Sequence, residues 1–111
     1  MKHVTFGEKS LLVDDETADW LMEYATALAI AGSSDHVTVD AVGSDGNAVS
    51  ASFLLNSGTE MMTESASSGL EPPPNPESVR YMKERISALR DPPFAQPLTE
   101  TPPTDGLDGI L

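Results

Sequence analysis

The chain has 111 residues, enough for one domain, and a formal net charge of −12 from 18 acidic and 6 basic side chains. That balance argues against a general binder of nucleic acid or anionic membranes, because such proteins contact phosphate mainly through Lys and Arg. The chain has no cysteine, which excludes disulfides, thiolate nucleophiles and zinc–sulfur sites.

Two short β-prone runs open the sequence. Residues 4–6 and 10–13 flank Gly7-Glu8-Lys9, and this spacing predicts a β-hairpin. The N-terminus lacks the apolar stretch of a signal peptide, and the longest nearly apolar run, residues 25–31, is too short to span a bilayer. We therefore expect a soluble chain located in the cytoplasm.

A helix is predicted over residues 16–31, because Asp14 or Asp15 can cap its start and Gly32 its end. Its apolar residues form two adjacent stripes. The first consists of Ala18, Leu21, Met22, Ala25, Leu28 and Ala29, and the second of Trp20, Tyr24, Ala27 and Ala31. A helix that is apolar over so much of its circumference usually packs between a sheet and a second neighbour, here the other helix or another protein.

A second hairpin follows. Apolar and polar residues alternate over 37–41 and 49–55, and residues 43–47 between them are of the types that tolerate a positive φ. Residues 59–64 are predicted to form a further short strand.

The last third of the chain contains a linker, a helix and a tail. Residues 65–75 form a linker rich in Pro, Ser and Gly, and Asn75 precedes Pro76 in the order expected of a helix N-cap and first turn. The helix over 76–90 has one apolar stripe and a basic face with Arg80, Lys83 and Arg90. Residues 91–111 contain five of the nine prolines and four acids, so we expect a disordered acidic tail.

Together these elements predict an α+β fold in a single domain of residues 1–90. The expected architecture is a small antiparallel sheet of four to five strands with two helices packed on one face, in the order β-β-α-β-β-(β)-α. The pattern does not determine the order of the strands in the sheet.

Residues 11–16, Leu-Leu-Val-Asp-Asp-Glu, form an apolar run followed directly by acids. They resemble the first strand and acidic pair of two-component receiver domains, in which such carboxylates hold a magnesium ion. The resemblance covers about residues 10–56, including a turn at Asp45-Gly46. It departs from the family at Asn56, where a phosphorylatable aspartate would stand, and no later Thr/Ser strand or lysine strand follows. It therefore implies a degenerate receiver-like domain without phosphotransfer, whereas the residues themselves favour a helix cap.

No catalytic, cofactor-binding or metal-binding set is predicted. The two histidines, His3 and His36, have no nucleophile and orienting carboxylate arranged as a triad. Asp40, Asp45 and Asn47 lack the spacing of a calcium loop.

Two features favour binding to another protein. One is the flank of the first helix, where an aromatic pair lies beside an acidic face; its residues are Glu16, Asp19, Trp20, Glu23 and Tyr24. The other is the end of the tail, where Leu107, Ile110 and Leu111 could dock into a groove of a partner or of this domain.

The leading interpretation is a non-enzymatic protein-interaction or regulatory module. An inhibitor, immunity protein, antitoxin or small assembly subunit would use an acidic surface to bind a basic protein partner. We expect no direct contact with nucleic acid or membrane, and a homodimer formed through the Trp20 flank is compatible with this interpretation. The alternatives are the degenerate receiver-like signalling domain, and a small ligand-binding domain or hydrolase with an unrecognised pocket.

Overall fold

The computed structural model describes residues 1–90, and residues 91–111, with the predicted disordered tail, lie outside the described part. Five strands and two helices follow one another in the order β-β-α-β-β-β-α, which confirms the predicted fold class. Their bounds are β1 Lys2–Phe6, β2 Lys9–Val13, α1 Asp15–Ala31, β3 Asp35–Val42, β4 Ala48–Leu55, β5 Met61–Ser65 and α2 Pro76–Arg90.

The five strands form one sheet in the order β4-β3-β2-β1-β5, with every pair antiparallel. β1 pairs with β2, and β3 with β4, along their whole lengths, whereas β2 and β3 meet at the single pair Leu12 and Val42. The sheet is therefore two hairpins joined at one position, with β5 added outside β1. A receiver domain has a parallel sheet with helices on both faces, so the antiparallel pairing of this sheet departs from that fold.

The sheet is strongly curled. In a flat sheet, side chains that stand upright on β1 and β4 would lie roughly 14 Å apart, because neighbouring strands are spaced by about 4.8 Å and three spacings separate these two strands. Instead the ring centroids of Phe6 and Phe53 are 5.5 Å apart in an edge-to-face arrangement. The edge strands β4 and β5 are also joined by only five residues, 56–60. This connection is shortened further by a turn in which Thr59 N–H donates to Asn56 O, so the ends of the two edge strands lie close together. The inner faces of the two hairpins therefore approach each other.

Both helices pack on this concave face. The core contains residues of every element except β5, and its largest fully buried side chains are Tyr24, Leu21, Leu28, Leu55 and Met82. α1 is capped at its start by Asp14, whose side chain accepts a hydrogen bond from Thr17 N–H, and at its end by Gly32 with φ 65°. Two residues of the second apolar stripe of α1 contact α2: the Trp20 ring lies beside Lys83, and Tyr24 packs against Tyr81.

The turn between β3 and β4 uses a glycine where one is needed. Gly46 has φ 85°, its N–H donates to Gly43 O, and Gly43 N–H donates to Asn47 O. This pattern is a type I turn followed by a left-handed residue, which is a common three-residue hairpin loop.

The start of α2 differs in one respect from the expectation. The backbone oxygen of Asn75 accepts from Val79 N–H, as an N-cap residue does. Its side chain, however, bonds to the backbone of Asp40 in β3 rather than to the first turn of the helix. β2 ends at Val13, so no residue of that strand pairs with Asp40. The Asn75 side chain bonds to the backbone of Asp40 instead, and this attaches α2 to the sheet.

Within residues 1–90, neither helix combines the length and the apolar character that crossing a membrane would require.

Candidate functional site

Four carboxylates of α1 form a continuous line on its exposed side. Asp15, Asp19 and Glu23 are spaced by four residues and so lie one above another on the helix, with Glu16 beside them. Their side chains are 55–64% exposed. We call these four residues the acidic stripe.

Each carboxylate of the acidic stripe lies within 4.0 Å of a cation of the same chain. Asp15 is 2.6 Å from the amino group of Met1, and Asp19 is 2.5 Å from Lys2 Nζ. The other two cations come from α2; Lys83 Nζ is 3.8 Å from Glu16 and Arg90 is 3.3 Å from Glu23. The basic face predicted for α2 therefore turns two of its three cations towards α1.

The aromatic flank of α1 is also covered by α2. Trp20 is half-buried against the core, and Lys83 Nζ lies 5.3 Å from the centroid of its ring. That distance is within the range of a cation–π contact. Tyr24 is completely buried. The α1 residues predicted to contact a partner thus make contacts within the chain, and their role in binding a partner stays a prediction.

Tyr24, Asp35 and Tyr81 form a cluster where α1, β3 and α2 meet, with Tyr24 buried and Tyr81 exposed. Both tyrosine hydroxyls donate to the same oxygen, Asp35 Oδ2, at 2.5 Å, and the backbone N–H of His36 donates to Oδ1 at 2.7 Å. The two rings are in an edge-to-face arrangement with centroids 6.3 Å apart. One carboxylate therefore holds both helices to the start of β3.

The titration of this cluster follows from its geometry. Burial opposes ionisation of Asp35, but the hydrogen bonds from Tyr24, Tyr81 and His36 outweigh it and hold the pKa of Asp35 below its ordinary value. Burial, and then the bond to Asp35, raise the pKa of Tyr24 well above its usual range, with Arg85 opposing this. The bond to Asp35, and then burial, raise the pKa of Tyr81. The pair is therefore suited to holding the fold together rather than to exchanging protons near neutral pH.

An apolar groove lies at the end of the concave face that the helices leave open. Its volume is about 360 Å³, and no helical residue contributes to its wall. It is lined by Val4, Phe6, Lys9, Leu11, Val49, Ala51, Ser52 and Phe53. Lys9, at its rim, is the one titratable side chain in this lining, so the groove offers apolar contact rather than acid–base chemistry.

A larger and more polar cleft of about 590 Å³ lies on the opposite face of the sheet. Its floor is formed by Leu12 and Val42, at the joint between the two hairpins, and the segment Ser67–Leu70 contributes to its wall. His3 is exposed here, whereas His36 lies elsewhere on the same face of the sheet, in β3. Within residues 1–90, no three His, Asp or Glu side chains are placed to hold a metal ion together.

The remaining predicted positions are spread over the fold. Asp14 caps α1, Asp45 accepts hydrogen bonds from Asn47 within the β3–β4 turn, and Asn56 follows the end of β4. Leu107, Ile110 and Leu111 lie outside the described residues.

Sequence reasoning missed the tyrosine pair and the role of Asp35. Asp35 lies 11 and 46 residues from its tyrosine partners in the chain, so no local pattern linked the three residues. The available signal was that the only two tyrosines of the chain each fall on one of the two predicted helices.

Comparisons with protein-family models, with curated proteins and with solved structures find no match to this chain.

Proposed function

We propose that this chain is a non-enzymatic interaction module that binds a basic partner protein through the acidic stripe of α1. The supporting observation is the placement of the cations. Lys2, Lys83 and Arg90 are all engaged by carboxylates of α1, and Arg85 lies against Tyr24. The other two basic side chains, Lys9 and Arg80, are on separate elements and make no ion pair within the described residues. The described surface therefore has many carboxylates and no basic patch.

The ion pairs of the acidic stripe do not prevent it from binding a partner. Exposed pairs contribute little net free energy, because water solvates both groups well and long side chains lose entropy on pairing. A partner's Lys or Arg side chain can therefore replace an internal cation at little cost. Meanwhile the helix fixes successive carboxylates at a rise of about 6 Å, which matches cations spaced by four residues on a partner helix.

The net charge acts before contact. A chain of −12 attracts basic proteins over a distance of about one Debye length and accelerates their encounter. An inhibitor, an immunity protein, an antitoxin and an assembly subunit would each use such a surface to cover a basic functional surface of another protein.

The experiment compares capture of proteins from a lysate of the source organism by three full-length baits at low and high salt. The first bait is the unaltered chain, and the second carries Glu16→Gln, Asp19→Asn and Glu23→Gln. The matched control carries Glu60→Gln, Glu64→Gln and Glu71→Gln, which removes the same charge at exposed positions outside α1 that make no ion pair in the described part of the chain.

The expected result is a stoichiometric basic protein that is retained by the unaltered chain and by the control. It should be lost with the acidic-stripe variant and at high salt. Equal loss with both variants would show that total charge, and not the acidic stripe, carries the binding. A chain ending at residue 91 tests Leu107, Ile110 and Leu111, because binding that depends on them would be lost on truncation.

A further inference from the structure

The two edges of the sheet are built differently. β5 has five residues and includes Glu64, whereas β4 has eight residues, Ala48–Leu55, with no charged residue and no proline. Its register against β3 is regular from Asp35 opposite Leu55 to Val42 opposite Ala48, so it contains no bulge. Exposed edge strands are normally protected by short length, charge, proline or bulges, because their unpaired N–H and C=O groups can pair with another chain. β4 has none of these protections.

The charge distribution points to the same strand. Each of the other four strands carries at least one charged side chain, among them Lys2 in β1, Lys9 in β2 and Asp40 in β3. Two copies of a chain with a net charge of −12 repel each other over most of their surfaces. The repulsion is weakest where β4 edges meet, since no charged side chain of that strand has to be brought close to its copy.

We propose that β4 of one copy pairs with β4 of a second copy in antiparallel orientation, forming a homodimer with a continuous ten-stranded sheet. The pairing is isologous, because the same edge of each copy meets the other around a twofold axis. It supplies hydrogen-bond partners to the edge of β4 from Ala48 to Ser52, which no other segment of residues 1–90 covers. Leu54 O, further along this edge, already accepts a hydrogen bond from Thr59 Oγ1.

The apolar groove supports this arrangement. The inward side chains of β4, Val49, Ala51 and Phe53, form one wall of the groove, and Phe6 and Leu11 form the other. A strand added to the edge of β4 directs alternate side chains to the same face as these residues. The second copy therefore covers with apolar side chains a groove that no element of residues 1–90 fills.

The homodimer does not rest on the function proposed for the acidic stripe, and the two respond to salt in opposite directions. Salt screens the attraction between the acidic stripe and a basic partner, and therefore weakens that complex. Salt also screens the repulsion between two copies of −12, and therefore strengthens the homodimer.

The test measures the mass of the full chain by sedimentation equilibrium over a range of concentrations at low and high salt. An 11.8 kDa chain should approach twice that mass, with tighter association at high salt. Ala51→Lys places a charge on the inward side of the β4 edge. It should weaken dimerisation about tenfold or more, because the dimer contains two added ammonium groups and both lose water when it forms. Thr63→Lys is the matched control, since it adds the same inward charge to the other edge strand, and it should leave the dimer intact. Thermal unfolding of both variants is measured as well, to distinguish a loss of dimerisation from a loss of folding.

The absence of native cysteine allows a direct check of the contact. Single cysteines replace the outward residues of β4 one at a time, at Ala48, Ser50, Ser52 and Leu54, and a short bismaleimide links any pair that lies close. The position nearest the twofold axis should form a covalent dimer, and Met62→Cys on β5 should not. A chain that stays monomeric at every concentration and salt overturns the proposal, as does a dimer that Ala51→Lys leaves unchanged or that is linked through β5.

Discussion

The side-chain amide of Asn75 bonds to both backbone groups of Asp40: Oδ1 accepts from the N–H at 2.7 Å, and Nδ2 donates to the carbonyl oxygen at 3.0 Å. An amide side chain presents the same donor and acceptor as a peptide group, so Asn75 occupies the place of a strand residue where β2 has ended. Nδ2 also lies 3.2 Å from Thr17 Oγ1. The start of both helices is thereby tied to β3 beside the single-pair joint of the sheet.

Asn75→Asp should destabilise the fold. The substitution keeps an oxygen acceptor for Asp40 N–H but removes both Nδ2 donors, and it places a carboxylate beside the Asp40 carbonyl in a site that is 7% exposed. We expect the free energy of unfolding in urea to fall by about 2–4 kcal/mol, the cost of leaving one or two buried groups unsatisfied. Asn56→Asp is the control, because Asn56 uses its side chain only as an acceptor from Gly58 N–H. It should change the value by less than about 0.5 kcal/mol, and an equal loss in the two variants would contradict the role of the Nδ2 donors.

The contact between Asn75 and Asp40 shows which parts of the fold the sequence could predict. The bounds of α2 match the prediction over 76–90, since periodicity, a preceding asparagine and a following Pro-Pro are all local signals. The strand order and the partners of Asn75 could not be read in this way, because Asp40 and Thr17 lie 35 and 58 residues away in the chain. The pattern predicted a helix cap at Asn75, but it carries no record of which strand lies beside that residue.

The candidate site also has one part that the sequence could predict and one part that it could not. Helical spacing alone placed Glu16, Asp19 and Glu23 on one face. It gave no indication that Lys83 and Arg90 would lie against that face, because this depends on the two helices running in the same direction side by side.

The cluster around Asp35 should make stability depend on pH in the acid range. Because the pKa of Asp35 is lowered in the folded state, its contribution is fully present above the unfolded value of about 3.9 and is lost as the pH falls through the folded value. Urea unfolding of the unaltered chain and of Asp35→Asn should therefore differ most near neutral pH and converge below about pH 4. Glu84→Gln serves as the control for an exposed carboxylate without a hydrogen bond among the described residues. A difference that stays constant down to low pH would contradict the bonding described for Asp35.

The same cluster predicts an alkaline titration. The pKa values of Tyr24 and Tyr81 are both raised, so the neutral hydroxyls stabilise the fold fully below about pH 10, and this stability declines as the pH rises through the folded values. The chain has two tyrosines, so its phenolate absorbance reports on this pair. The folded chain should show no tyrosine step at about pH 10, whereas the chain unfolded in urea should. In Tyr24→Phe the remaining step belongs to Tyr81, and a step at the ordinary pH in the folded unaltered chain would argue against the shared bond.

The ion pairs of the acidic stripe should contribute little to stability. Glu23 and Arg90 are both more than half exposed, so a double-mutant cycle with Glu23→Gln and Arg90→Gln should give a coupling below about 0.5 kcal/mol. Added salt should remove most of it. A coupling of several times that size would mean that a partner could displace Arg90 only at a substantial cost, which would weaken the function proposed for the acidic stripe.

The position of β5 in the sheet also dictates an order of events during synthesis. Each hairpin is closed by a short turn and can form as soon as its own residues have left the ribosome. β5, however, pairs with β1 across roughly sixty residues, with Ser65 opposite Lys2, and such distant pairing is slow because it closes a long loop. The outer edge of β1 is therefore uncovered until roughly sixty further residues have been made, and the Asn75 side chain that attaches the second hairpin to α2 emerges later still. The nascent chain is most prone to mispairing in that interval.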